Sequence, residues 1–155
     1  MINYTPFLQN EFPDDCADLI FTNPKINFDK VKGSLHVNLR SVDIIDFQNA
    51  TLKMIEIKKM SLWYSNKLKE FQGDKNRTEE FIENELRLKI SESLLILYKF
   101  DYQLMRNITK VVYYIYFCGS ISQDLKGFDH IRKKLLSSFV EICDVQFIID
   151  KTLID

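Results

Sequence analysis

Asp43, Glu56 and Lys58 are the residues whose types and spacing would carry chemistry in this chain. They lie within residues 42–60, where two runs rich in Val, Ile, Phe and Met flank the polar break Gln48-Asn49-Ala50-Thr51. That pattern predicts a β-hairpin. A turn centred on Asn49-Ala50 places Phe47 opposite Leu52 and, by the same register, Asp43 opposite Glu56. Opposed residues of an antiparallel pair share a face, with Cβ atoms about 4.5–5.5 Å apart. The period of two keeps Lys58 on the same face as Glu56. Asp46 falls on the other face, opposite Lys53, where an ordinary cross-strand ion pair is expected.

Two carboxylates on a face otherwise built from Ile45, Phe47, Leu52 and Met54 raise each other's proton affinity unless a cation lies between them. A hard divalent ion such as Mg²⁺ suits them, because it takes oxygen ligands and usually keeps several waters. The lysine would orient or deprotonate a water, or stabilise developing negative charge, while the metal polarises a phosphoryl oxygen. That is phosphodiester cleavage. The plainer reading is an amphipathic hairpin with a surface ion pair between Glu56 and Lys58.

Asp43, a twelve-residue interval and then Glu56-Ile57-Lys58 resemble the PD-(D/E)XK nuclease superfamily, the restriction-endonuclease-like fold, and its small resolvase-like members in particular. The resemblance is close over residues 34–60 and follows only the order of elements elsewhere. It implies Mg²⁺ or Mn²⁺ held by Asp43, Glu56 and the carbonyl of Ile57, with Lys58 assisting the attacking water. It also implies an acidic ligand from a first helix, for which Glu11, Asp15 and Asp18 are the candidates.

The rest of the chain must position that hairpin. At 155 residues, 46% hydrophobic and 28% charged, it is the size and composition of one globular domain, residues 1–155. With 21 basic and 22 acidic residues the net charge is −1, which argues against strong non-specific nucleic-acid binding. Three scattered cysteines, Cys16, Cys118 and Cys143, make no zinc spacing and no disulfide framework, so reduced thiols are expected. A count of only two histidines argues against a histidine metal site. No apolar run is long enough for a membrane span and the N-terminus lacks a signal-peptide layout, so a cytoplasmic protein is expected.

In chain order, Asp14 or Asp15 would cap a short helix through Cys16, Leu19 and Ile20, ended by Asn23-Pro24. Residues 34–40 alternate strictly and predict a half-buried strand with His36, Asn38 and Arg40 on one face. Ser61 would cap a helix through Phe71. Between Lys53 and Arg77 stand seven basic residues against three acidic ones, the most basic window in the chain. Lys59, Lys67, Lys69 and Arg77 would track a phosphate backbone while Trp63 stacks on a base, or the window is only a solvated helix face. Asn76-Arg77-Thr78-Glu79 resembles a capping box for a helix over 77–107, interrupted near Lys99–Tyr102, on which Arg87 and Lys89 are the basic residues that would face a substrate. Residues 110–118 form a core strand broken at Gly119-Ser120. Gln123 to Gly127 lead into a helix through Ile142, and residues 145–149 form a last strand.

That order predicts an α/β three-layer sandwich with a mixed central sheet, restriction-endonuclease-like. The expected partners are DNA or RNA, with a homodimer allowed and no membrane. Two other readings compete with the nuclease. One is a non-catalytic interaction or assembly module on the same fold. The other is a helical protein that binds a partner through the 77–107 helix, which a central sheet would remove.

Overall fold

The structure, a computed structural model, describes residues 1–119, 125–139 and 141–155. Its centre is the expected hairpin: β3 (Ile44–Gln48) and β4 (Thr51–Lys58) pair antiparallel, with Phe47 opposite Leu52 and Asp46 opposite Lys53. Asn49 supplies the left-handed residue of the turn at φ 55°, a conformation Asn tolerates better than most. The turn is tied down from outside, because the Ala50 carbonyl accepts the amides of Thr109 and Lys110 at 2.8 and 3.2 Å.

Around this hairpin lies an open six-stranded mixed sheet in the order β1 to β6, which makes the fold α/β and removes the purely helical reading. β1 (Leu8–Glu11) and β2 (Ile20–Asn27) extend it antiparallel on one side; β5 (Lys110–Phe117) and β6 (Asp144–Ile148) extend it parallel on the other. Parallel neighbours need crossovers. α2 (Met60–Glu70), α3 (Lys75–Phe100) and the short α4 (Tyr102–Met105) lead from β4 to β5, and α5 (Leu125–Phe139) leads from β5 to β6.

The period of two divides β4 between two cores. Leu52 and Met54 join Tyr113, Ile115 and Val145 beneath the helices, whose Met60, Ile82, Leu86, Ile90, Ile131 and Leu135 fill the same cluster. Ile55 and Ile57 face away, into a smaller cluster with Phe12, Cys16, Leu19, Phe21, Ile148 and Ile154. The buried apolar residues of α2, α3 and α5 lie on the first side. The second is covered by irregular chain around residues 12–19 and by the C-terminal turn.

Several local expectations are corrected. Residues 14–20 do not form a helix; they turn and enter β2, and Pro24 lies inside that strand rather than ending a helix. Proline is tolerated there because the β1–β2 register shifts between Gln9 and Glu11, so the ladder is irregular beside it. Residues 34–40 are not a strand. α1 (Phe28–Ser34), capped by the Asn27 side chain on the Lys30 amide, runs into irregular chain with His36 at φ 53°. The alternation there reports burial alone: Leu35, Val37 and Leu39 pack on the core while His36, Asn38 and Arg40 stay exposed. The backbone finds its partners on α3 instead of a ladder, with the Arg40 amide donating to Glu92 and the Val42 amide to Ser93 Oγ.

Cys16 and Cys118 form a disulfide across 102 residues, while Cys143 is free and buried. Closing so long a loop destabilises the unfolded chain by about 5 kcal/mol in the chain-entropy model. The caps also move: α2 starts after Lys59 without a side-chain cap, and α3 is capped by Asp74 on the Arg77 amide rather than by Asn76. The long helix does break where expected, at Asp101. Ser120 and Gln123 lie outside the described residues.

Candidate functional site

The hairpin register that pairs Ile44 with Ile55 brings Asp43 to the end of β3, beside the Glu56-Ile57 segment. Asp43 Oδ2 accepts the Ile57 amide at 2.7 Å, and its carbonyl accepts the Phe28 amide at 2.9 Å, which fixes it against the start of α1. Asp43 is 6% exposed. Glu56 is fully buried, in a strand flanked by β3 on one side and β5 on the other.

Two lysines reach the same oxygen of Glu56. Lys58 Nζ lies 3.5 Å from Oε1, and Lys89 Nζ, from α3, lies 2.5 Å from it. The other oxygen, Oε2, is buried with no hydrogen-bond partner among the described residues. Lys58 also sits over the Trp63 ring, 5.1 Å from its centroid, which directs the ammonium along the sheet's helical side.

The electrostatics follow from burial. Desolvation and then the neighbouring Glu56 charge push the Asp43 carboxyl up to about 8, against the pull of Lys89 and the Ile57 amide. Desolvation also raises Glu56, although Lys89 and Lys58 oppose it. For Lys89 burial works toward loss of the proton, but the Glu56 and Asp43 charges outweigh it and the ammonium is held more tightly than usual. Among the three N-terminal candidates, Asp15 is the one whose charge acts on Asp43; desolvation and Asp29 raise its own carboxyl, and Lys89 and Lys58 lower it. Glu11 and Asp18 are exposed. Asp29, in the first turn of α1, accepts from Ser41 Oγ and adds to the field on Glu56.

The structure thus brings Asp43, Glu56, Ile57 and Lys58 together. Asp46 does not pair with Lys53: its carboxylate takes the buried ammonium of Lys25 at 2.8 Å. Of the basic window, Lys59 and Lys69 are exposed and Trp63 is half-buried. Lys67 is engaged with Glu70 at 2.8 Å and lies over the Phe81 ring, and Arg77 lies over Phe71. Arg77 lines an open hollow of about 520 Å³ with Arg87 and three glutamates, Glu70, Glu80 and Glu83, so acidic groups outnumber basic ones there.

Lys89 is the site residue that a reading of the hairpin misses. Its signal was present, because Ile82, Leu86, Lys89, Ser93 and Ile96 fall at helical spacing and the other four are buried. A lysine in the core stripe needs a buried partner.

Among the described residues, no group of three or more His, Cys, Asp or Glu side chains is placed to hold a metal ion. A metal at this site would have two carboxylates, the Ile57 carbonyl and waters. That donor set fits a hard divalent ion that keeps much of its hydration, and the unpartnered Glu56 Oε2 is an oxygen such an ion would satisfy. No family model, curated protein or solved structure matches the chain.

Proposed function

We propose that this protein is a metal-dependent nuclease hydrolysing phosphodiester bonds of DNA or RNA on a restriction-endonuclease-like, three-layer fold. The observation that carries the reading is a buried pair of carboxylates, Asp43 and Glu56, with Lys58 on the same face and one Glu56 oxygen lacking a partner among the described residues. An antiparallel hairpin followed by a parallel β-α-β crossover supports the fold, with the 12–19 segment as its third layer. Asp43, Glu56 and the Ile57 carbonyl would hold Mg²⁺ or Mn²⁺, which when bound supplies Lewis-acid polarisation of a phosphoryl oxygen. Lys58, one-third exposed and braced on Trp63, orients the attacking water and balances charge on the phosphate. Lys59 and Lys69 meet the backbone beyond it.

A non-catalytic interaction or assembly module on the same fold is favoured by one observation. Glu56 is sealed from solvent and already carries a lysine. Cleavage of single- and double-stranded DNA and RNA with Mg²⁺ or Mn²⁺ separates the two. Metal-dependent cutting that Glu56→Gln abolishes supports the nuclease. A purified protein that cuts none of these substrates leaves the module.

A further inference from the structure

We infer that Lys89 is the resident counter-cation of this site, and that a divalent cation competes with its ammonium for Glu56. The consequence, which rests on the nuclease reading, is that metal entry releases Lys89 toward the substrate phosphate.

One oxygen of Glu56 is crowded and the other is empty-handed. Both Lys58 and Lys89 are directed to Oε1, at 3.5 and 2.5 Å, while Oε2 has no partner among the described residues although Glu56 is fully buried. An ammonium and a hard metal ion seek the same carboxylate oxygens. Held a few ångströms apart at low dielectric they repel strongly, so one carboxylate does not serve both at close range.

Charge counting points the same way. The carboxylates Asp15, Asp29, Asp43 and Glu56 share this field with the ammonium groups of Lys58 and Lys89. Asp29 has a further, looser partner in Lys32 at 3.8 Å. Fully ionised, the four carboxylates outnumber Lys58, Lys89 and Lys32 by one, so the cluster takes further positive charge once Asp43 gives up its proton.

Position supplies the rest. Lys89 occupies the buried stripe of α3, yet its side chain is 19% exposed, so it is not sealed in as Glu56 is. An ammonium leaving Glu56 therefore stays beside whatever anion the metal holds. Lys89 is then a positioning residue in the metal-free protein and a phosphate contact in the loaded one.

The test is Mn²⁺ titration followed by the signal of free Mn²⁺, with thermal melts, on wild type, Lys89→Met and Lys89→Arg. Lys89→Met keeps the stem and removes the charge. It is expected to bind Mn²⁺ at least about tenfold more tightly than wild type. Its metal-free Tm should fall by roughly 10 °C, because Glu56 keeps only the longer Lys58 contact, and Mn²⁺ should restore most of that loss. Lys89→Arg should keep the wild-type Tm and the weaker affinity. Equal Mn²⁺ affinity in wild type and Lys89→Met overturns the inference, whatever the melts show, and so does failure of both to bind. Tighter binding by Lys89→Met without cleavage of any substrate by wild type upholds the competition and sinks the nuclease reading instead. Should Lys89→Met not fold without metal, a Lys89→Arg affinity far above wild type is the overturning result.

Discussion

The β3–β4 hairpin carries a buried carboxylate–lysine pair on each face, and the two are built differently. On the loop-covered side, Lys25 Nζ meets Asp46 at 2.8 Å and the Asp155 carbonyl at 3.1 Å, and neither side chain has a buried polar atom without a partner. On the helical side, Glu56 gives one oxygen to two lysines and leaves the other with none, beside a second carboxyl raised to about 8. Burial of unpaired polar groups costs stability. The Lys25 pair is closed and pins the C-terminus to the sheet. The Glu56 site is open in the chemical sense, with one buried oxygen unpartnered among the described residues.

The largest test of that contrast is activity. Glu56→Gln preserves shape and removes the charge that would hold the ion, so Mg²⁺-dependent cleavage per folded molecule should fall by roughly a hundredfold or more, and the melting temperature should fall as well because the Lys89 ammonium loses its partner. Asp46→Asn, the matching change on the closed face, should leave the rate per folded molecule unaltered. Steady-state cleavage beside thermal melts reads both, and equal losses in the two variants would dissolve the distinction.

On the closed face the effect should be on stability alone. Lys25→Met leaves Asp46 and the Asp155 carbonyl without their cation in a position 2% exposed. Breaking one side of a buried pair costs about 3–5 kcal/mol, so the urea midpoint should drop sharply. A loss under about 1 kcal/mol would mean that water reaches Asp46 freely and the pair is a surface feature.

How far this contrast was legible differs between the two faces. The hairpin register followed from period-two patterning and an asparagine able to take the left-handed turn, so Asp43, Glu56 and Lys58 were readable as one face. Lys89 was readable as a polar residue in the α3 stripe, though its partner was not, because that contact joins elements 33 residues apart. The loop-covered face was hardly legible. On the helical side, too, the alternation at 34–40 reports which side chains pack and not the backbone dihedrals. The path that brings Asp15 into the field of Asp43 depends on the Cys16–Cys118 link and on Phe12, Leu19 and Phe21 packing under the sheet. None of these has a local signature.

Proton binding separates the two faces further. In the folded, metal-free protein Asp43 is raised from 3.8 to about 8, so the folded state binds more protons than the unfolded state between those values. Its contribution to stability is therefore greatest at low pH and is lost as pH rises through about 8. Metal binding must expel that proton, so Mn²⁺ affinity should climb about tenfold per pH unit below 8 and level off above it. Asp43→Asn should flatten the stability profile. An affinity independent of pH between 6 and 8 would show that the ion, if one binds, does not use Asp43.

A third kind of ion pair, the one at the surface, should matter least. Lys67 lies 2.8 Å from Glu70, whose side chain is 58% exposed, and it also covers the Phe81 ring, whereas Lys69 is exposed with no ion pair among the described residues. Surface pairs of this type contribute about 0–1 kcal/mol, so Lys67 leaves Glu70 for a phosphate at little cost, but it starts from an engaged position. Each phosphate that a variant no longer neutralises reduces the slope of log affinity against log salt by about 0.9 on duplex DNA or 0.7 on single strands. Lys69→Glu should remove close to one such step, and Lys67→Glu in addition should remove less than a second. Filter binding across a salt series, with catalytically dead Glu56→Gln as the parent, measures the slope without cleavage. An unchanged slope in the double variant would make the 60–70 helix a solvated face and move the nucleic-acid contact elsewhere. A larger step for Lys67 than for Lys69 would mean that the Glu70 pair and the Phe81 ring hold Lys67 in place for the phosphate rather than away from it.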